Sequence, residues 1–353
     1  MSVARSPFGR TPDGSSVERF RLMNAGGVEA QLMSYGGAVV SLRVPDRWGR
    51  LADVVLGFDD LEGYVGSAHY FGAIIGRYAN RIAHGRFALD GRSFALAAND
   101  GPHHLHGGRR GFDKVVWDAE PFEGPDGAGV AFSYASPDGE EGYPGRLAVG
   151  VTYTLTATDE LVFDCRATTD APTPVNLVQH NYYNLAGDGA ADVLAHELRV
   201  CADLYLPVDA TLIPTGALAA VDGTPFDFRE PAPIGARIGQ EHEQLANGRG
   251  YDHTFVLRRS REGLVAAARV VEPRSGRALE IATTEPGLHF YSGNHLDGTR
   301  FGKAGRAYRP RAGFCLEAQH YPDSPNQSCF PSSILQPGQE YHSRTVFGFS
   351  VVP

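Results

Sequence analysis

Glycine and proline recur as turn punctuation from one end of this chain to the other, 43 and 23 of its 353 residues, without pooling in any one linker. A chain interrupted in this way reads as many short strands joined by turns. The clearest pair lies in 146–169, where Leu147, Val149, Val151, Tyr153 and Leu155 alternate with small or hydroxyl residues. Thr158-Asp159-Glu160 then turns the chain, and Leu161, Phe163, Cys165 and Ala167 keep the same period on the return. Period-two alternation on both arms predicts a β-hairpin with one buried face. A second hairpin is predicted with arms 264–271 and 278–283, with Pro273 to Gly276 as the turn. Helical signal is scarce. Ile234, Ile238 and Leu245 stand near helical spacing ahead of Asn247-Gly248, which predicts one short surface helix.

These features predict an all-β chain, a large antiparallel β-sandwich with few short helices. No compositional break marks a linker, so a single domain over 1–353 is expected. With 42% hydrophobic and 21% charged residues, the chain can bury a large core. The net charge is -9 and the basic residues are scattered, which speaks against nucleic-acid binding. No apolar window approaches the roughly 20 residues that span a bilayer, and the N-terminus lacks an apolar signal core, so no membrane association is expected and the location reads as cytoplasmic. Cys165, Cys201, Cys315 and Cys329 show no paired spacing and are expected to be reduced, packed thiols.

Polar residues lodged in strand-like runs are where side chains from distant segments could meet. In "GFCLEAQHYPDSPNQ", alternation puts Phe314, Leu316 and Ala318 on one face and Cys315, Glu317 and Gln319 on the other. No Lys or Arg in that run pairs with Glu317, so water or a ligand must meet it. "FGAIIGRYANRIAHGRF" carries Arg77, Asn80 and Arg81; a buried guanidinium needs a partner, and an ion pair is the simplest expectation for Arg77. "GPHHLHGG" brings His103, His104 and His106 together, but in a Gly-rich loop without the longer spacings of a zinc site, so hydrogen bonding is expected and no metal. "PVNLVQHNYYNLAG" surrounds His180 with Asn176, Gln179, Asn181, Tyr182 and Asn184, groups able to fix the orientation of a proton-transferring imidazole. In "NGRGYDHTF", Asp252 follows a Gly turn, where a turn-forming role is the ordinary one. There is no dinucleotide fingerprint, phosphate loop, zinc-protease or nucleophile-elbow motif, so no cofactor is expected.

Taken in order, "DRWGRLADVVLGFDDLEGY", "YFGAIIGRYANRIAHGRF", "LHGGRRGFDKVVW", "VNLVQHNYYNLAG", "YDHTF", "PGLHFYSGN" and "LEAQHYPDSPNQ" resemble the aldose 1-epimerase (galactose mutarotase) family over nearly the whole chain. The resemblance implies the family's large β-sandwich, a monosaccharide substrate, no cofactor, and a monomer or weak homodimer. It implies Glu317 as the base that deprotonates the anomeric hydroxyl, and His180 as the acid that protonates the ring oxygen. His106 would bind a substrate oxygen and assist proton transfer. Asn80, Arg81, Asp252, His289 and Tyr182 would border or hold the sugar. Four positions depart from the family pattern: His289 and Glu285, where Gln is common, and, with less consequence, Val178 and Asn181. Two alternatives stay open: a hexose 6-phosphate substrate, for which Arg109-Arg110 could serve, and a non-catalytic sugar-binding or regulatory protein on the same fold.

Overall fold

The structure is a computed structural model, and it describes residues 1–259, 263–299 and 301–353. Three larger antiparallel sheets dominate it. The first five strands, from Ser2–Arg10 to Leu51–Asp53, form a meander. A nine-stranded sheet runs in spatial order Asp118–Gly124, Gly127–Ser136, Leu147–Leu155, Glu160–Thr169, Tyr341–Val351, Arg277–Thr283, Val265–Val271, Glu197–Val200 and Ala232–Pro233. A third sheet of five strands orders Ala219–Ala220, Ala202–Tyr205, Asp252–Leu257, Gly287–Tyr291 and Cys315–Gln319. Among the described residues two short α-helices occur, Leu61–Val65 and Glu243–Gly248. No helix among them is long and apolar enough to cross a membrane.

Both predicted hairpins form. Leu147–Leu155 pairs with Glu160–Thr169 in the expected register, Val151 opposite Cys165 and Tyr153 opposite Phe163. Along the first arm every second residue is buried, as the alternation requires. The turn closes through Asp159 at φ 61°, with the Thr156 hydroxyl accepting from the backbone N–H of Thr158 and Glu160. In the second hairpin, Val265–Val271 pairs with Arg277–Thr283. Its turn is tied by Glu272, whose carboxylate accepts from the N–H groups of Arg274 and Ser275, and Gly276 takes the left-handed conformation at φ 75°.

The predicted helix near 234–248 forms only in its last third. Ile234 and Gly235 donate their backbone N–H groups to His196 and Leu194 of a neighbouring segment, so a single 3-10 turn over Ile234–Ala236 replaces the helix start. The α-helix begins later, after His242, whose ring accepts from the Gln244 N–H. The expected ion pair of Arg77 is also corrected. Its guanidinium is 1% exposed and donates to the Ser136 hydroxyl and to the carbonyls of Ser136, Pro137, Pro144 and Gly145. Neutral acceptors spread around the fork satisfy it without a carboxylate. All four cysteines are free; Cys165 and Cys315 are buried, but Cys329 lies in an exposed loop and is not a packed thiol.

One continuous core joins the three sheets, with Phe20 and Leu32 of the first, Val151, Phe163 and Phe347 of the second, and Phe255, Leu288, Phe290 and Leu316 of the third. Phe20 and Phe132 meet edge to face across the first two, 6.2 Å between centroids. In the third sheet the alternation has a decisive effect. Leu288, Phe290, Leu316 and Ala318 point into the core, so their neighbours His289, Cys315 and Glu317 must point to the other face. Register then sets His289 opposite both Glu317 and Thr254, and Asp252 opposite Tyr291.

Candidate active site

That polar face forms the floor of a cavity of about 520 Å³, within the range of small-ligand sites. All eight residues singled out from the sequence, Asn80, Arg81, His106, His180, Tyr182, Asp252, His289 and Glu317, line it. Glu317 is 2% exposed. Its Oε1 lies 3.6 Å from His180 Nε2, and its Oε2 has no hydrogen-bond partner among the described residues. A solvated strand face, the ordinary reading of an unpaired Glu, is therefore excluded. A buried carboxylate with an open lone pair carries a desolvation cost that the fold leaves unmet.

His180 is held from its backbone. Its N–H donates to the Ala73 carbonyl and its carbonyl accepts from Gly72 N–H, beside the short ladder in which Val178–Gln179 pairs with Ile74–Ile75. The ring packs against Tyr182 and His106, 5.2 and 5.1 Å between centroids. His106 and Asn80 lock each other: the Asn80 N–H donates to His106 Nδ1 at 3.1 Å, and the His106 N–H donates back to the Asn80 carbonyl. Both adopt left-handed backbone conformations, φ 62° and 51°, a strain of about 1–3 kcal/mol each that concentrates at functional sites. Burial, reinforced by the nearby His180, pushes His106 well below the ordinary histidine range. The ring is neutral, and since Nδ1 is an acceptor its proton sits on Nε2.

Asp252 and His289 form a second pair, Nε2 to Oδ1 at 2.8 Å, with His289 Nδ1 3.0 Å from the Thr254 hydroxyl. Burial alone would raise the Asp252 carboxyl, but the hydrogen bond and charge of His289, with Arg81 beyond, hold it down at about 2. Arg81 is anchored through Nε to Asp100 Oδ2 at 2.8 Å, which leaves its terminal nitrogens for the cavity.

His106, His180 and Glu317 each offer one ligand atom within 4.8 Å of the others. The donor set does not fit a metal. His106 accepts a backbone N–H at Nδ1, so the nitrogen left over carries a proton and has no lone pair to give. The arrangement suits proton transfer to and from a bound oxygen compound instead: one carboxylate, one imidazole beside it, and a fixed N–H donor.

Residues 18–348 match the aldose 1-epimerase family. The chain is 50% identical over 352 residues to galactose mutarotase of Rattus norvegicus, covering 99% of both. The chain belongs to the aldose 1-epimerase family. It is also 39% identical to aldose 1-epimerase of Escherichia coli, covering 96% of each. A solved aldose epimerase homologue from C. elegans superposes with a TM-score of 0.86 at 32% identity, over 94% of this chain and 98% of that one.

Not every residue of this family member's cavity was visible in its sequence. Tyr70, Asp100, Arg249 and Tyr291 also line it. Tyr70 packs against His106 with the rings tilted by 60° and their centroids 4.6 Å apart, the Lys114 ammonium lies 5.0 Å over its ring, and no local pattern announces it. Asp100 could have been suspected as a nearby acid for Arg81. His104 does not reach the cavity; its nitrogens meet the Ala97 carbonyl and the Tyr143 hydroxyl. Arg109 and Arg110 do not line it, their backbone N–H groups donating to Glu141, so the cavity lacks the arginine pair that favoured a phosphorylated sugar.

Proposed function

We propose that this chain is a mutarotase, an isomerase that interconverts the α and β anomers of free aldoses of the glucose and galactose type. The observation that carries the reading is the buried Glu317–His180 pair, 3.6 Å apart on the floor of a polar cavity. Glu317 accepts the proton of the anomeric hydroxyl while His180 delivers a proton from Nε2 to the ring oxygen. The C1–O5 bond then breaks, its electron pair staying on O5, and C1 becomes the free aldehyde. Rotation about C1–C2 presents the other face, and the two proton transfers run in reverse to close the ring. Enzyme and substrate end with the protons they began with, so no cofactor is consumed.

His106, neutral with its proton on Nε2, donates to a sugar oxygen throughout. Asp252, ionised and oriented by His289, accepts from sugar hydroxyls, and Asn80, Arg81 and Tyr182 complete the binding site. The relatives, a galactose mutarotase and an aldose 1-epimerase, support the same activity.

Polarimetry on freshly dissolved α-D-glucose and α-D-galactose, with wild-type, Glu317→Gln and His180→Asn proteins, tests the assignment. Acceleration by the wild type and its loss in both variants is expected. Failure of the wild type to accelerate either sugar, or near-normal mutarotation by either variant, overturns it.

A further inference from the structure

The strand Cys315–Gln319 touches His180 twice. Glu317 faces Nε2 at 3.6 Å, and Cys315 Sγ lies 3.7 Å from Nδ1. Residues two apart on a strand stand on the same face, about 6.6 Å from each other, a span that brackets an imidazole ring. No other polar partner reaches Nδ1 among the described residues. Cys315 is completely buried, and burial, with the Glu317 charge nearby, keeps it a thiol by raising it well above the usual cysteine range.

We propose that Cys315 is the positioning residue of His180, holding Nδ1 through a partner that can serve the imidazole in both of its protonation states. When the ring is neutral with its proton on Nε2, Nδ1 accepts from the thiol S–H. When the ring is charged, Nδ1–H donates to the sulfur, and it still does so in the neutral ring left after Nε2 has delivered its proton. A backbone carbonyl could only accept, and a carboxylate would stabilise the charged ring and weaken it as an acid. A thiol is a weak donor and a weak acceptor, so it fixes the plane of the ring without favouring one form strongly. The other groups facing the ring are Glu317, His106, Tyr70 and Tyr182, with Asp113 acting at longer range. None of these replaces the thiol at Nδ1.

The ordinary alternative is that Cys315 only fills space. Ala and Ser are both smaller than Cys and nearly equal in volume, and only Ser can bond to Nδ1, so the pair separates the two roles. This inference rests on the proposed function for its kinetic arm. In Cys315→Ala, kcat is expected to fall about 10-fold or more, as for other removed orienting partners, with KM changed less. In Cys315→Ser, kcat should stay within a few fold of wild type, with the high-pH limb of its profile moved upward because oxygen is the better acceptor. Equal kcat and coincident pH profiles for wild type, Ala and Ser overturn the proposal, as does an equal loss in both variants. A second readout needs no sugar: the imidazole ¹⁵N signals of His180, assigned by their absence in His180→Asn. A change of the Nδ1 signal in Cys315→Ser relative to wild type supports the contact even if Cys315→Ala does not fold, and an unchanged signal refutes it. A shifted signal in a protein that fails to accelerate mutarotation would keep the contact and discard the mutarotase reading.

Discussion

Replacing Glu317 by Gln separates chemistry from stability. The substitution keeps the shape of the side chain and removes its ability to take a proton. A positioned general base contributes about 10² to 10⁴ in rate, which at about 1.4 kcal/mol per decade is about 3 to 5 kcal/mol of transition-state stabilisation. The effect on folding has the opposite expected sign. Glu317 is 2% exposed with Oε2 unpartnered, and its nearest titratable partner, His180 Nε2, stands at 3.6 Å, too far for a strong hydrogen bond. A neutral amide is cheaper to bury than this ion, so the variant should melt at the same temperature as wild type or higher. The assay is polarimetric mutarotation of fresh α-D-galactose at pH 7, corrected for the spontaneous rate, with calorimetry on the same samples. A loss of at least 100-fold without a fall in Tm is the expected result. Activity within a few fold of wild type would refute the role of the carboxylate. A Tm lowered by several degrees would refute the claim that the site keeps an unmet electrostatic cost.

Asp252→Asn removes the anion held by His289, and KM should rise more than kcat falls in steady-state kinetics. Asp252 sits at about 2, below its ordinary 3.8, so its contribution to stability is present above about pH 4 and is lost as pH falls through 2; the Tm gap between wild type and variant should close over that interval. Asp100→Asn frees Arg81 from a partly exposed partner, and pairs of that kind are worth at most about 1 kcal/mol, so KM should rise no more than about 5-fold. Outside the cavity, His320 bonds to the buried Glu285 at 2.7 Å. Although burial opposes both shifts, their mutual charge holds Glu285 below and His320 above the ordinary range. The stability from Glu285 is complete above about 4.5 and lost as pH falls below it. That from His320 is complete below about 6.5 and lost as pH rises through its raised value. The destabilisation of His320→Gln, read by Tm, should therefore be largest near pH 5 to 6 and shrink toward pH 9.

Much of this protein is decided by local chemistry that a sequence displays. Alternation over Leu147–Leu155 fixed which face is buried, and turn residues such as Asp159 and Gly276 fixed where each hairpin reverses, because period and turn conformation depend on nearest neighbours. The same alternation put Glu317 and Cys315 on one face of their strand, and the ordered blocks around Asn80, His106, His180, Asp252, His289 and Glu317 marked the cavity residues. Where neighbours far along the chain compete, sequence reading went astray. Ile234 and Gly235 gave their N–H groups to another segment instead of a helix, and Arg77 found carbonyls where a carboxylate was expected. The tautomer of His106, the ionisation of Asp252 and the two-sided grip on His180 exist only once segments 26 to 135 residues apart are brought together. Proton affinity depends on burial and on charges a few ångströms away, and those distances are properties of the tertiary structure alone.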